Sequence, residues 1–271
     1  MLRISLFFLS VVFLSGCMTM NLSENYFLNP TNFKEAIPTD YGFSEFYIER
    51  SDKTKAYGVA ITRSSNSVTV MYFGGNQFTI HSSGARIVKA LTKIGLNVVI
   101  FDHRGYGNST GIPTVELLKQ DALYNYDYLR KNIKGKIIVH GQSLGSFEAG
   151  AVADERNIDA LVLESSATDI DEWSSIIVPW YAKPFVTINI SPELKLLNNK
   201  SVVSHSKAPL LIIVGKNDNQ TPQYLSEMLY SASISKQKKI HIFSDSGHNT
   251  VPNNAEFGNI YSQFINKVKR L

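Results

Sequence analysis

Lys136-Ile137-Ile138-Val139-His140-Gly141-Gln142-Ser143-Leu144-Gly145-Ser146-Phe147 is the stretch that decides the fold. Its first five residues form an apolar run of the kind a buried strand needs, and Phe147 to Asp154 is helix-like. Strand, Gly-x-Ser-x-Gly, helix is the context of a nucleophile elbow. The turn is so tight that only residues with almost no side chain fit at its flanks. That accounts for Gly141 and Gly145, and it leaves Ser143 projecting from a sheet edge at a helix N-terminus.

Outward from the elbow, strand and helix signals alternate. Strands are expected at Phe46–Arg50, Ala56–Thr62, Ser67–Phe73, Leu96–Phe101, Lys136–His140, Asp159–Glu164, Pro209–Val214 and Lys239–Phe243. Helices are expected at Ser83–Ile94, Val115–Asn132, Pro222–Ser233 and Glu256–Leu271. The first two strands read as an antiparallel pair. The rest imply right-handed crossovers, hence an α/β fold with a mostly parallel eight-stranded sheet and helices on both faces. Sites in such sheets lie at the carboxyl ends of the strands. Residues 165–207 break the rhythm: they hold Trp173, Trp180, Tyr181 and Phe185, three prolines and no clear strand. They are expected to form a small lid insertion within a domain running from 45 to 271.

The N-terminus reads differently. Arg3 followed by the apolar stretch Ile4–Leu14 is too short to span a bilayer and resembles a signal peptide, 1–16. Leu14-Ser15-Gly16-Cys17 resembles a bacterial lipobox, which makes Cys17 the expected lipidation site and a cell-envelope membrane anchor the expected address. Met18 in place of an aspartate points to the outer membrane in a Gram-negative host. Cys17 is the single cysteine, so an intramolecular disulfide is excluded. Residues 17–44 are expected to be a lipidated tether. The net charge of +4 is mild, and the basic clusters Lys236, Lys238, Lys239 and Lys267, Lys269, Arg270 read as solvated faces rather than a nucleic-acid site.

A serine hydroxyl needs a base to become a useful nucleophile. Of six histidines, His248 in Ser246-Gly247-His248-Asn249 follows the last strand and precedes the last helix, on a loop at the carboxyl edge. The others read as strand, helix-start or linker residues. The acid that orients the imidazole is expected at Asp218, just past the strand Pro209–Val214, with Asp169, Glu164 and Asp245 as rivals. An oxyanion hole needs two aimed main-chain N–H groups. The expected donors are Leu144, next to the serine, and Asn76, in the loop Phe73-Gly74-Gly75-Asn76-Gln77.

These motifs together resemble the α/β-hydrolase superfamily over roughly residues 45–270. Within it they look like the small-lid hydrolases related to monoacylglycerol lipases and protein depalmitoylases. The marks are Phe73 to Asn76, Asp102-His103-Arg104-Gly105-Tyr106-Gly107-Asn108-Ser109, Gly141 to Gly145, Gly215 to Pro222, and Gly247-His248. Serine, acid and histidine fall in the chain order of that superfamily. Two departures stand out: Gly74-Gly75 where many relatives have His-Gly, and Ser146 where relatives often carry a third glycine. The resemblance implies hydrolysis of an ester, thioester or amide by Ser143, His248 and Asp218 and does not choose among them; the apolar lid points to an acyl ester or another hydrophobic acyl substrate, and with no cofactor or metal motif in the sequence none is expected. An aminopeptidase or amidase on the same three residues is the alternative within enzymes, and a lid acid such as Glu172 reaching the pocket would favour it. A catalytically silent lipid-anchored binding protein is the alternative outside enzymes.

Overall fold

The computed structural model describes residues 18–31, 43–63 and 68–271. Cys17 and the expected signal peptide lie outside the described residues.

The sheet is built from β2 (Ser44–Glu49), β3 (Lys55–Ile61), β4 (Thr69–Phe73), β5 (Asn97–Phe101), β6 (Ile137–Gln142), β7 (Ala160–Glu164), β9 (Leu210–Gly215) and β10 (Lys238–Phe243). These eight strands run in the order β10-β9-β7-β6-β4-β5-β3-β2. The β2–β3 and β3–β5 pairs are antiparallel and all others parallel. The central strands β4 to β7 and β9 are buried along their whole length, which is why their sequences are continuously apolar rather than alternating.

Alternate residues of each strand feed two separate cores. Val70, Tyr72, Val98, Ile100, Ile138 and Val162 pack against α2 (Ala85–Lys93) and α8 (Phe257–Val268). Met71, Phe73, Val99, Val139, Leu161 and Ile212 pack against α3 (Val115–Asn132), α4 (Leu144–Glu155), α6 (Asn199–His205) and α7 (Gln223–Ala232). The period of two along the strands thus sets which helices cover which face. In α3 the inward residues Leu118, Ala122, Tyr126 and Leu129 keep helical spacing, and Thr114 caps the start by accepting from the Leu117 N–H.

Two regions differ from the sequence expectation. Residues 18–31 are not a free tether: β1 (Met18–Leu22) and α1 (Glu24–Phe27) lie on the domain. The insertion at 165–207 contains α5 (Ile170–Ile177), α6 and a strand, β8 (Val186–Ile190), which pairs in parallel with β1. Leu22, Ile170, Leu194 and Leu197 form a small satellite core where the two segments meet. The N-terminal strap and the lid are therefore one unit over the strand ends. No helix among the described residues is long and apolar enough to cross a membrane.

Candidate active site

The elbow is held by contacts that admit no side chain at its glycines. A Cβ on Gly141 would stand 2.1 Å from the Gly145 carbonyl oxygen, and a Cβ on Gly145 would stand 2.3 Å from that of Gly74. Between them Ser143 is driven to φ 51°, ψ −117°, a conformation unfavourable for any residue with a Cβ. Its N–H donates to the Glu164 carbonyl (3.0 Å), tying the turn to the end of β7. The result is a serine hydroxyl presented at the carboxyl edge, at the N-terminus of α4.

His248 lies on the loop after β10 and Asp218 on the loop after β9. The His248 Nε2 is 3.0 Å from Ser143 Oγ, and its Nδ1 is 2.9 Å from Asp218 Oδ2. Asp218 is 3 % exposed and accepts further bonds from the Gln220 and Thr221 N–H groups and the Thr221 hydroxyl. Burial pushes its carboxyl up, but His248, by hydrogen bond and charge, and the Thr221 N–H outweigh that and hold it below the usual carboxylate value. The structure therefore brings together the three residues expected from sequence. The rival acids are engaged elsewhere. Asp169 caps α5 through the Glu172 N–H (2.8 Å), Glu164 meets His140 Nε2 (3.0 Å) in the sheet, and Asp245 is exposed. The other histidines have their own partners, among them His241 with Glu256 and His205 with Asp154.

Leu144 opens α4, so its N–H is one of the helix's unpaired donors. It and Asn76 line the same cavity as Ser143. Gly75 brings the facing loop close: a Cβ there would lie 3.2 Å from Ser143 Cβ and 2.4 Å from Gln142 Oε1. Gly75 thus permits the close approach to the nucleophile, while the departure at Gly74 makes room for the Phe78 ring, 2.1 Å from where a Cβ would stand. The Asn76 side chain has a separate task. Its Oδ1 accepts from the Asn29 N–H and the Tyr106 hydroxyl, and its Nδ2 donates to the Phe27 carbonyl, which locks this loop to the N-terminal strap.

Two residues have supporting roles that the sequence did not assign. His103 donates from Nε2 to the Gly74 carbonyl (2.9 Å), while its Nδ1 lies 2.7 Å from a Glu148 carboxylate oxygen, an ion-pair contact out of line for a hydrogen bond. Burial works against the charged ring, but the Glu148 charge and then the Gly74 bond prevail and hold the imidazole above its ordinary range. The second is Ser146, fully buried, whose hydroxyl donates to the Ser143 carbonyl and joins Ser166 and Asn199 in a polar cluster linking the elbow to the lid. Asp102 serves structure, accepting from the Ile80 and Asn108 N–H groups.

Two cavities lie at the elbow, one lined by Ser143 and the other by its neighbour Gln142. One, of about 280 Å³, has a largely apolar wall of Leu22, Phe27, Leu144, Phe147, Ile170 and Trp173, with no acidic side chain in its lining. Phe27 meets Trp173 edge-on at 5.3 Å, so strap and lid close this wall together. The other, of about 210 Å³, lies past Gln142 and is polar, with Ser83, Arg86, Asn249 and Glu164 among its residues.

Sheet order, elbow and chain order define the class: the chain has the α/β-hydrolase fold. Residues 80–206 match the family model described as serine aminopeptidase, S33, a span that includes Ser143 but ends before Asp218 and His248. An uncharacterized protein of Mycobacterium tuberculosis is 31% identical over 171 residues, 62% of this chain and 58% of that protein. The mouse lysophosphatidylserine lipase ABHD12 is 29% identical over 227 residues, 75% of this chain and 57% of that protein. The chain thus spans less than two thirds of the length of both relatives. A Pyrococcus furiosus esterase superposes with a TM-score of 0.72 at 22% identity, covering 89% of this chain and 99% of that one, a likeness of fold.

Proposed function

We propose that the chain is a serine hydrolase that cleaves acyl esters through an acyl-enzyme. Ser143 Oγ attacks the carbonyl carbon as His248 Nε2 takes its proton. His248 then returns the proton to the leaving alcohol, and water, activated by the same imidazole, releases the acid. Asp218 fixes the ring's tautomer and stabilises its charged form. The main-chain N–H groups of Leu144 and Asn76 are proposed to receive the oxyanion. The observation that carries this reading is the continuous chain of contacts from Ser143 Oγ through His248 to buried Asp218, 3.0 and 2.9 Å.

The ester preference is supported by the apolar cavity beside Ser143, which suits an acyl chain. The names of the mouse lipase and the Pyrococcus furiosus esterase support the same substrate class. An aminopeptidase reading is favoured by the description of the matching family model. It lacks an acid in the apolar cavity, since Glu172 does not reach it, and Glu164 in the polar cavity is paired with His140. A panel of esters, thioesters and aminoacyl amides on one purified sample decides between them. Turnover of medium-chain esters well above aminoacyl amides is expected; the reverse order overturns the ester assignment.

We also propose that Cys17 is lipid-modified and anchors the protein at the cell envelope. Labelled palmitate is expected in the chain, and its persistence in Cys17→Ser overturns this.

A further inference from the structure

The lid has an inner face, which closes the apolar cavity, and an outer edge that is apolar without cover. Along Pro179-Trp180-Tyr181-Ala182-Lys183-Pro184-Phe185 the side chains of Trp180, Tyr181 and Phe185 are 82 %, 65 % and 49 % exposed. Trp180 and Tyr181 stack edge-on against each other at 5.9 Å rather than against the domain. Met18, 61 % exposed, joins them, because β1 pairs Met18 with Val186, the residue after Phe185. Contiguous exposure of this many large apolar side chains marks an interaction surface.

We propose that this edge seats in the interfacial layer of a lipid bilayer. Three features select that occupant. Tryptophan and tyrosine, each with an apolar body and a polar N–H or O–H, are the side chains suited to headgroup depth, and the exposed Lys183 among them can meet anionic headgroups. The edge is continuous with the start of the described chain: Met18 is bonded to Cys17, the expected lipid attachment point, so an anchor there emerges beside Phe185. The same elements that form the edge lead to the cavity: α5 runs from Ile170 and Trp173, at the cavity wall, to Ile177 near the edge, and β1 runs from Met18 to Leu22. A bilayer at the edge would thus lie at the outer end of the two elements that enclose the proposed acyl site.

The chain has two tryptophans, so Trp173→Phe leaves Trp180 as the sole indole reporter. The full chain with that change is reconstituted into phosphatidylcholine–phosphatidylglycerol vesicles containing a nitroxide lipid labelled near the headgroup. Blue-shifted Trp180 emission quenched by the nitroxide is expected. Solvent-like, unquenched emission overturns the proposal. Shifted emission indifferent to the nitroxide, with crosslinking of two copies through Lys183, would seat a second copy at the edge and also overturn it. The triple change Trp180→Ser, Tyr181→Ser, Phe185→Ser should keep the far-ultraviolet dichroism of the folded chain. A second arm rests on the proposed hydrolase activity. The triple variant should turn over a vesicle-borne long-chain ester about tenfold more slowly, with turnover of a soluble short-chain ester unchanged. Failure to hydrolyse either ester would count against the hydrolase reading, while the quenching would still decide the membrane edge.

Discussion

Ser143 occupies a backbone conformation that costs on the order of 1–3 kcal/mol and persists because its neighbours leave no alternative. The clearest test of that account is Gly145→Ala, whose new methyl would meet the carbonyls of Phe73 and Gly74, both rigid backbone. A loss on the order of 3 kcal/mol, roughly 6–12 °C in thermal unfolding, is expected. Asp218→Asn should lower kcat about 10⁴-fold on an ester substrate with the fold intact. Asp169→Asn should leave kcat within a few-fold, since Asp169 caps a lid helix. His103 acts at one remove, by fixing the Gly74 carbonyl and with it the loop that faces Ser143. His103→Leu is expected to reduce kcat by about a hundredfold with KM little changed. A proportional rise in KM instead would assign His103 to the substrate pocket. Ser143, His248 and Asp218 were legible in sequence because each lies just beyond a recognisable strand. His103 and Ser146 were not, because their partners, Gly74 and Asn199, are joined to them only by the fold.

Among the elements, the strap β1–α1 is the one whose role the sequence concealed. Its burial alternates weakly, it is short, and its stability comes from β8 and the lid rather than from local propensity. The same holds for β8, where partly covered and exposed residues alternate along five positions. By contrast, β4 to β7 and β9 were legible because both faces of each are covered. The strap also serves α3. Glu24 accepts from the Val115 N–H at 2.7 Å, placing a carboxylate at the N-terminus of the longest helix among the described residues. Leu22, 1 % exposed, is the strap's contribution to both the satellite core and the cavity. Leu22→Ala should destabilise the chain by about 2–5 kcal/mol in urea unfolding and weaken turnover of long-chain esters more than short ones. Equal effects on all chain lengths would separate the strap from acyl recognition.

At the scale of the whole molecule, two cores on opposite faces of one sheet hold three loops at its carboxyl edge, and those loops carry the proposed chemistry. Stability and site are linked through Asp218. Because its carboxyl titrates below its ordinary value when folded, its contribution is complete above the unfolded value of about 3.9. That contribution is lost as the pH falls through the lower folded value. The stability advantage of the native chain over Asp218→Asn, read by urea unfolding, should therefore hold steady above about pH 5 and shrink as the pH falls below about 4; a difference that stays constant there would remove the linkage. The proposed chemistry rests on Ser143 as a nucleophile activated by His248. Its most direct test is labelling of the folded chain by a fluorophosphonate, with the modified residue located by peptide mass spectrometry. A single adduct on Ser143 is expected, absent from Ser143→Ala and greatly slowed in His248→Ala. No adduct on the folded chain, or labelling at Ser143 that is indifferent to His248→Ala, would contradict it.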